Sequence, residues 1–367
     1  MVNESVNQKK SKRIFYFDAL RVFAILSVII FHVFYFTKGL VVAEYPFSWN
    51  WFITDIMGTC FKCGVDIFLM LSGALSLGRV WNIKSFLSKR LPRIIFPFLF
   101  WGFLLSLLMV IISIQLPNFI NVLSSYDLSG FLNYLYNSYM AKNNGFTSFW
   151  FFWMILGTYL IMPVFNKWLY NSDLKEVEYF LCIWLVTCLF EATLMIPFPV
   201  TLTYFSGPIG MVVLGYYLRH TKRKVFNNPY IALVIMMIGV ISILIYSHIA
   251  SSTSDFYEFY RYSIFMVVEV TGIFLFFKNF SKFNIHSNFF DNPKGLFRKS
   301  IFSVAKYSYG IYLIHRVFLI LIGKVFIHTV PYKALLLIIS FGTLGISWGL
   351  LALLNRVPYV NKIIGAK

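Results

Sequence analysis

Ten apolar runs, each long enough to cross a lipid bilayer, restrict the possible folds of this chain more than any other feature. A membrane-spanning α-helix needs ~20 mostly apolar residues. Hydrophobic residues make up 59% of the 367 residues and charged residues only 13%, a composition far outside that of soluble domains. The sequence therefore predicts an all-α polytopic membrane protein with one transmembrane domain over residues 1–367. Its expected transmembrane helices lie at 14–36, 58–78, 94–116, 149–166, 178–196, 201–218, 229–249, 261–278, 301–323 and 332–354.

The distribution of Lys and Arg between the loops predicts the orientation of these helices. If the N-terminus lies in the cytoplasm, the inner segments carry 23 basic residues and the outer segments carry five. Cytoplasmic loops of membrane proteins are enriched in Lys and Arg. We therefore expect both termini to be cytoplasmic, with short terminal segments at 1–13 and 355–367. The net charge of +18 is then a consequence of topology, and we expect no nucleic-acid partner.

The first apolar run contains an unusual polar stripe made of Asp18, Arg21 and His32. Arg21 and His32 are eleven residues apart, close to three helical turns, so they share one face at a separation of ~16 Å. Charged groups inside a membrane are costly, and they mark functional sites by default. Arg21 could instead form a purely structural ion pair with Asp18, and His32 could simply pack against a neighbouring carbonyl group. The depth of His32 in the outer half favours the functional interpretation.

Asp66 on the second run falls at about the depth of His32. We therefore expect Asp66 to contact His32, fix its tautomer and raise its basicity, as general-base catalysis requires. Lys62 precedes Asp66 by four residues, a spacing that permits an ion pair within a helix. On the ninth run, His315 lies near mid-membrane, where a structural and a functional role are equally compatible with the sequence. Glu269 on the eighth run has no evident partner.

Two further groups lie at the predicted membrane interfaces. Arg90 and Arg93 would share a helical face at the inner interface, where two guanidinium groups could bind phosphate or simply anchor the loop. Trp150 and Trp153 lie at the outer interface, as part of an aromatic belt or as a stacking surface for a sugar. The CxxC at 60–63 is interpreted as apolar filler, because no second Cys or His pair has the spacing of a metal site. We expect no bound metal.

Five motifs in the correct order resemble the bacterial acyltransferase-3 family of integral membrane acyltransferases. The first is an arginine and a histidine separated by ten residues, within the sequence FDALRVFAILSVIIFH. The others are GVDIFLMLSG at 64–73, Arg90-Leu-Pro-Arg93, WFFWMILGTYLIMP at 150–163 and Ser308 to His315. Many family members carry an esterase-like domain after the tenth helix. This chain ends at Lys367, and therefore resembles the stand-alone branch that modifies surface polysaccharides.

The resemblance implies a bacterial plasma-membrane O-acyltransferase, most simply an O-acetyltransferase. Its donor would be cytoplasmic acyl-CoA, with no tightly bound cofactor, and its acceptor a hydroxyl group of a cell-surface or lipid-linked glycan. His32, Arg21 and Asp66 are the expected catalytic residues, and Arg90 and Arg93 are expected to bind acyl-CoA. The expected substrate or channel lining consists of Asp18, Ser72, Trp150, Trp153, Tyr159, Tyr312 and His315.

A different class of function is also compatible with a ten-helix bundle that has a polar core. The chain could export a polysaccharide or a lipid-linked sugar without any acyl-transfer chemistry. Against this alternative, the sequence shows neither internal repeats nor the paired broken helices that are common in transporters. A scaffold role fits poorly, because a scaffold has no need of so many charges within the membrane.

Overall fold

The computed structural model describes residues 13–42, 48–142, 148–196, 207–251, 256–283 and 295–366. Over these ranges the chain forms α-helices joined by turns, short 3₁₀ segments and one π-helical stretch, and no β-strand. The helices are α1 (Phe15–Thr37), α2 (Trp49–Thr59), α3 (Gly64–Ser76), α4 (Ile83–Gln115), α5 (Leu128–Tyr139), α6 (Trp150–Asn171), α7 (Leu174–Thr187), α8 (Pro208–His220), α9 (Pro229–Ala250), α10 (Ile264–Asn279), α11 (Leu296–Phe326) and α12 (Tyr332–Leu354).

Eight helical stretches in the described part of the chain are long and apolar enough to cross a membrane. They confirm the expected fold class of an all-α polytopic membrane protein. The two predicted spans outside this set are 149–166, which corresponds to α6, and 201–218, which corresponds to α8. Residues 201–206 of the latter lie outside the described residues, as do Lys9, Lys10, Lys12, Lys294 and Lys367, which contributed to the charge bias. The count of ten spans and the cytoplasmic location of both termini stay predictions.

The second predicted span is interrupted, which corrects the expectation of one helix over 58–78. A turn at residues 60–63 separates α2 from α3 and contains Cys60 and Cys63, both of which are free and buried. Gly64 opens α3 against α1, where a Cβ atom would lie 2.5 Å from the carbonyl oxygen of Ala24. Asp66 consequently lies in the first turn of a helix, where the helix dipole favours a negative charge.

Glycines bring two pairs of helices into close contact. A Cβ atom at Gly73 of α3 would lie 1.8 Å from the carbonyl oxygen of Val212 in α8, and one at Gly215 would lie 2.1 Å from that of Met70. Gly239 and Gly272 play the same part between α9 and α10. Small residues at such crossings let helix backbones approach closely, which is how membrane helices gain packing energy.

We call the end of the bundle that contains the start of α1 the inner end, and the opposite end the outer end. The charge bias predicts that the inner end faces the cytoplasm. Helix α4 is 33 residues long, or ~50 Å, which exceeds the ~30 Å apolar core of a bilayer. It begins at Ile83, with Asn82 Oδ1 accepting a hydrogen bond of 2.8 Å from the Lys84 amide. The Arg90–Arg93 motif therefore lies within a helix at the inner end.

Candidate active site

Two histidines from distant parts of the chain meet in the outer half of the bundle. His32 of α1 and His315 of α11 have ring centroids 5.0 Å apart, and His315 Nε2 lies 3.3 Å from His32 Nδ1. His32 is 8% exposed and His315 is fully buried. Helices α1 and α11 pack side by side, which brings the arginine–histidine stripe of α1 against the Ser308–His315 motif. The structure therefore joins two of the five motifs in one cluster.

The hydrogen bonds of His32 define its tautomer. Nδ1 lies 2.7 Å from the carbonyl oxygen of Val28, which can only accept a hydrogen bond, so Nδ1 carries the proton. In the neutral ring, Nε2 is then an acceptor, and it lies 3.0 Å from Ser148 Oγ. The Ser148 hydroxyl group therefore donates to His32 Nε2. This is the arrangement of a nucleophile and a general base at hydrogen-bond distance.

His315 is held in the complementary state. Its Nδ1 lies 2.7 Å from the carbonyl oxygen of Tyr312, so this nitrogen carries the proton and Nε2 is left as an acceptor facing the N–H group of His32. A proton gained by His32 at Nε2 would leave the Nδ1–H group between two acceptors, Val28 and His315. These two acceptors orient the His32 ring.

Tyr312 connects this cluster to a narrow pocket. Its hydroxyl group donates to the carbonyl oxygen of Ser148, and its ring lies 4.9 Å from the ring of Phe151. Tyr312 and Phe151 both line a pocket of about 80 Å³ that extends to Arg21 and Arg90. The full lining is Arg21, Phe68, Leu71, Ser72, Leu75, Arg90, Ile94, Phe151, Ile155, Tyr159, Ser308, Tyr309 and Tyr312. The pocket thus joins residues of the inner end to the immediate neighbourhood of the His32–Ser148 pair.

Arg21 is fixed in this pocket by the first turn of α1. Its Nη1 donates to Asp18 Oδ1 at 2.7 Å, and Arg13 Nε donates to the second oxygen of the same carboxylate at 2.6 Å. The side chain of Asp18 is buried, and both of its oxygens are paired. Asp18 therefore supports Arg21 and does not itself line the pocket. Arg21 both forms the ion pair with Asp18 and lines the pocket. The structural and the functional interpretation of Arg21 are therefore compatible.

Several arginines gather at the inner end, where no carboxylate of a described residue pairs with them. Arg90 donates to Ser76 Oγ at 2.9 Å, and Arg219 donates to the carbonyl oxygen of Ala74. Burial lowers the pKa of Arg79, and the positive charges of Arg219 and Arg90 lower it further. Among the described residues, none of these three arginines forms an ion pair. Like charges held together in this way favour the binding of a polyanion.

Arg93, the other half of the arginine motif, is exposed and does not line the pocket. Of the pair, Arg90 donates to Ser76 and lines the pocket, whereas Arg93 does not line it. From the sequence we expected Arg90 and Arg93 to bind phosphate together. In the structure, Arg90 instead lies near Arg79 and Arg219. Neither of these two arginines was singled out from the sequence, since α8 and the loop after α3 meet at this point only in the fold.

Asp66 does not contact His32, which corrects the expected pair. Its carboxylate is fully buried and lies 3.7 Å from Arg261 Nη1, and neither of its oxygens accepts a hydrogen bond from a described residue. The helical pair of Lys62 and Asp66 is absent too, because Lys62 lies in the turn before α3 and donates to the carbonyl oxygen of Phe259. Asp66 and His32 were predicted at equal depth, but depth does not determine the direction in which each side chain points.

The remaining predicted lining residues fall into two groups. Ser72 and Tyr159 line the pocket, as expected. Trp150 and Trp153 do not line it: Trp150 lies under the Arg261 guanidinium group, 4.6 Å from its carbon, and Trp153 Nε1 donates to the carbonyl oxygen of Tyr139 at 2.8 Å. Both tryptophans are more than a third exposed at the outer end.

Ser148 is the residue of the site that the sequence analysis missed. It lies two residues before Trp150, just ahead of the predicted helix at 149–166, and it is 5% exposed. The available signal was a serine directly before the aromatic motif at the outer interface. That signal is weak by itself, because serine is common at the ends of helices.

A second, larger cavity of about 550 Å³ lies between the inner halves of α1 and α10 and the start of α11. Its lining is mostly aromatic and aliphatic, with Lys278 and Arg298 among the few charged residues. It contains none of the residues of the His32 cluster. The chemistry of the lining, and not the volume, therefore distinguishes the candidate site.

Comparison with known proteins gave one match. The family model Acyl_transf_3, described as an acyltransferase domain, matches residues 14–352 and so covers nearly the whole chain. No curated protein and no solved structure matches the chain. The matched region includes every residue of the His32 cluster and of the pocket.

Proposed function

Because the chain belongs to the Acyl_transf_3 family of acyltransferases, we propose that it is an O-acyltransferase that moves an acyl group from acyl-CoA to a hydroxyl group of a cell-surface or lipid-linked glycan. The family expected from the five sequence motifs is confirmed by this match, and the chain is a membrane acyltransferase in general terms. The donor, the acetyl specificity and the glycan acceptor are the proposed part.

The inner end supports acyl-CoA as the donor. Arg79, Arg90 and Arg219 supply three guanidinium groups without carboxylate partners among the described residues, and CoA carries three phosphate groups at its nucleotide end. Guanidinium groups bind phosphate oxygens with paired, charge-assisted hydrogen bonds. The nucleotide would stay at this end while the pantetheine arm reaches past Arg21 into the pocket.

The size of the pocket supports a small acyl group. Its volume of about 80 Å³ is below the ~300 Å³ at which typical ligand pockets begin, so it accommodates the thioester end of the donor and not the whole arm. Helices around the pocket would have to separate for the rest of the arm to enter. An acetyl group demands the least additional space, which favours acetyl-CoA.

The observation that carries this proposal is the His32–Ser148 pair, which lies next to the pocket residues Tyr312 and Phe151. Nε2 of His32 is free of its own proton and points to a hydroxyl oxygen at 3.0 Å. A general base in this state can take the proton of an attacking hydroxyl group, which typically contributes ~10²- to 10⁴-fold to a rate. Trp150 and Trp153 are both more than a third exposed at the outer end, and they offer aromatic surface to a sugar that approaches from outside, although Arg261 covers one face of Trp150.

The proposed location is the bacterial plasma membrane, and the proposed enzyme has acyl-CoA as a substrate and no tightly bound cofactor. This location places the donor in the cytoplasm and the acceptor outside the cell. It agrees with the predicted orientation, in which the arginines are at the cytoplasmic end and the His32 cluster is in the outer half.

The test is transfer of radiolabelled acetyl from acetyl-CoA to isolated envelope glycans by the purified full-length protein in nanodiscs. His32→Ala should abolish the transfer, whereas His248→Ala, which removes an exposed histidine near the outer end of α9, should leave it within about twofold. Normal transfer by His32→Ala would refute the catalytic role of His32. Transport of glycan without any acyl transfer by the wild-type protein would instead favour the exporter.

A further inference from the structure

We propose that Ser148 carries the acyl group between the donor and the acceptor, so that the reaction passes through an acyl-serine enzyme. This inference rests on the proposed function, because it assumes an acyl donor that enters from the inner end. It assigns a covalent role to a residue outside the five sequence motifs.

The first argument is the geometry of the pair. Ser148 Oγ donates to His32 Nε2 at 3.0 Å, and the opposite nitrogen of the ring donates to Val28 and faces His315. A nucleophile, a base and a group that orients the base are the three components of nucleophilic catalysis by serine. Here a carbonyl oxygen and a neutral histidine occupy the orienting position that is usually taken by a carboxylate.

The second argument is the way in which Ser148 is held. Its side chain is buried, and its carbonyl oxygen accepts the hydrogen bond of Tyr312, a residue that lines the pocket. A serine that only capped a helix would have its hydroxyl group directed at a backbone amide of that helix. The Ser148 hydroxyl group is directed at a histidine of another helix instead.

The third argument is the position of the pair relative to the pocket. Tyr312 and Phe151 line the pocket, whereas His32 and Ser148 do not. Ser148 lies three residues before Phe151, and its carbonyl oxygen accepts a hydrogen bond from Tyr312, so it is directly adjacent to the lining of the pocket. If Ser148 carries the acyl group, the group can pass from an inner to an outer site. The bulky donor and acceptor then do not have to bind at the same time.

The first chemical step forms the acyl-enzyme. Ser148 Oγ attacks the thioester carbonyl carbon, its proton moves to His32 Nε2, the new carbon–oxygen bond forms and the carbon–sulfur bond breaks. The CoA thiolate leaves with the proton from His32. The products are an ester on Ser148, free CoA and a neutral His32.

The second step regenerates the enzyme. An acceptor hydroxyl oxygen attacks the Ser148 ester carbonyl carbon, and its proton moves to His32 Nε2. The bond between Ser148 Oγ and the acyl carbon breaks, and His32 returns the proton to Ser148 Oγ. No other reactant is required, because one ester replaces another.

The test uses the full-length protein with radiolabelled acetyl-CoA and no acceptor. We expect stoichiometric label on the peptide that contains Ser148, identified by tandem mass spectrometry and released when acceptor is added. In a separate reaction with unlabelled acetyl-CoA and radiolabelled free CoA, we also expect label to enter the acetyl-CoA pool in the absence of acceptor. The exchange requires a covalent intermediate and does not depend on any variant.

Variants locate the label. Ser148→Ala should lose the label, the exchange and at least ~100-fold in transfer rate, while Ser148→Cys should hold the acyl group as a thioester that hydroxylamine cleaves rapidly. Ser106→Ala, which removes a buried serine hydroxyl group of α4 that has no hydrogen bond within the described part of the chain, is the matched control and should behave like the wild type.

The outcomes separate this inference from the proposed function. A wild-type protein that transfers acetyl to glycan but shows neither label nor exchange overturns the acyl-serine and supports direct transfer. Label on His32 also overturns it. A wild-type protein that neither releases CoA nor transfers acetyl under any condition refutes the proposed function itself.

Discussion

The inner end and the outer half of the bundle contain polar groups of opposite character. At the inner end, three guanidinium groups lie near one another with no ion pair to a described carboxylate. In the outer half, His32, His315, Ser148 and Tyr312 form a chain of hydrogen bonds among formally neutral groups.

The difference indicates what each region is prepared to do. Unpaired positive charges gain free energy when an anion arrives, whereas a neutral hydrogen-bonded chain can move a proton without desolvating a permanent charge. Substitutions at the inner end should therefore raise the KM for the donor, and substitutions in the outer chain should lower kcat.

The largest effect should follow from His32→Gln. Glutamine retains some hydrogen-bonding capacity but cannot take up a proton, so kcat should fall by ~10³-fold or more while the KM for acetyl-CoA changes less than about threefold. Steady-state kinetics of acetyl transfer measures both. A large rise in KM with normal kcat would show that the hydrogen-bonded residues of the outer half bind the donor, and the proposed division between donor binding and proton transfer would be wrong.

The next effect concerns Arg90, with Arg93 as a matched control from the same motif. Arg90→Ala removes a charge-assisted contact of about 1.5–3 kcal/mol and should raise the KM for acetyl-CoA by ~10- to 100-fold with little change in kcat. Arg93→Ala should change KM less than about threefold, because Arg93 is exposed and outside the pocket. Equal effects of the two substitutions would show that Arg90 and Arg93 bind the donor together, as the sequence predicts.

A smaller effect is expected from His315→Phe. Phenylalanine fills the buried space but removes the acceptor that faces His32 Nδ1, and the Val28 carbonyl group remains in place. We expect kcat to fall by about tenfold, corresponding to one hydrogen bond of ~1.4 kcal/mol, with an unchanged KM for acetyl-CoA. A loss as large as that of His32→Gln would make His315 a proton-transfer residue in its own right.

The smallest effect is expected from Asp66→Asn. The substitution keeps the shape of the buried side chain, and Asp66 lies against Arg261 and not against His32. Because Asp66 does not contact His32, acetyl transfer should stay within about threefold of the wild type. A threefold change corresponds to only ~0.6 kcal/mol. A loss of activity with correct membrane insertion would support the pair of Asp66 and His32 that the sequence suggested.

Much of the inner end could be predicted from the sequence because it depends on one helix at a time. The spacing of Asp18 and Arg21 on α1 predicts their ion pair, which the structure contains. The depth and face of His32 also follow from its spacing to Arg21. Arg79 and Arg219 could not be recognised in this way, since they come from a loop and from α8, and only packing brings them to Arg90.

The outer half shows the opposite case. His32 and Asp66 were assigned to one depth, but depth does not specify which way a side chain points around its helix axis. The turn at 60–63 determines where α3 begins and how it is rotated about its axis. In this orientation Asp66 lies against Arg261. His315 contacts His32 although the two residues are 283 positions apart in the sequence, so spacing within one helix could not predict the contact.

By itself, the sequence determined an all-α membrane protein, the approximate position of its helices, the polar stripe of α1 and the family. These properties depend on composition, on the length of apolar runs and on spacing within a helix, all of which are local. Only the tertiary structure decided that His32 meets Ser148 and His315, that Arg90 separates from Arg93, and that Asp66 belongs to Arg261. Those pairings depend on how helices rotate and pack against one another, and small residues such as Gly64 and Gly73 fix that packing through contacts between distant segments.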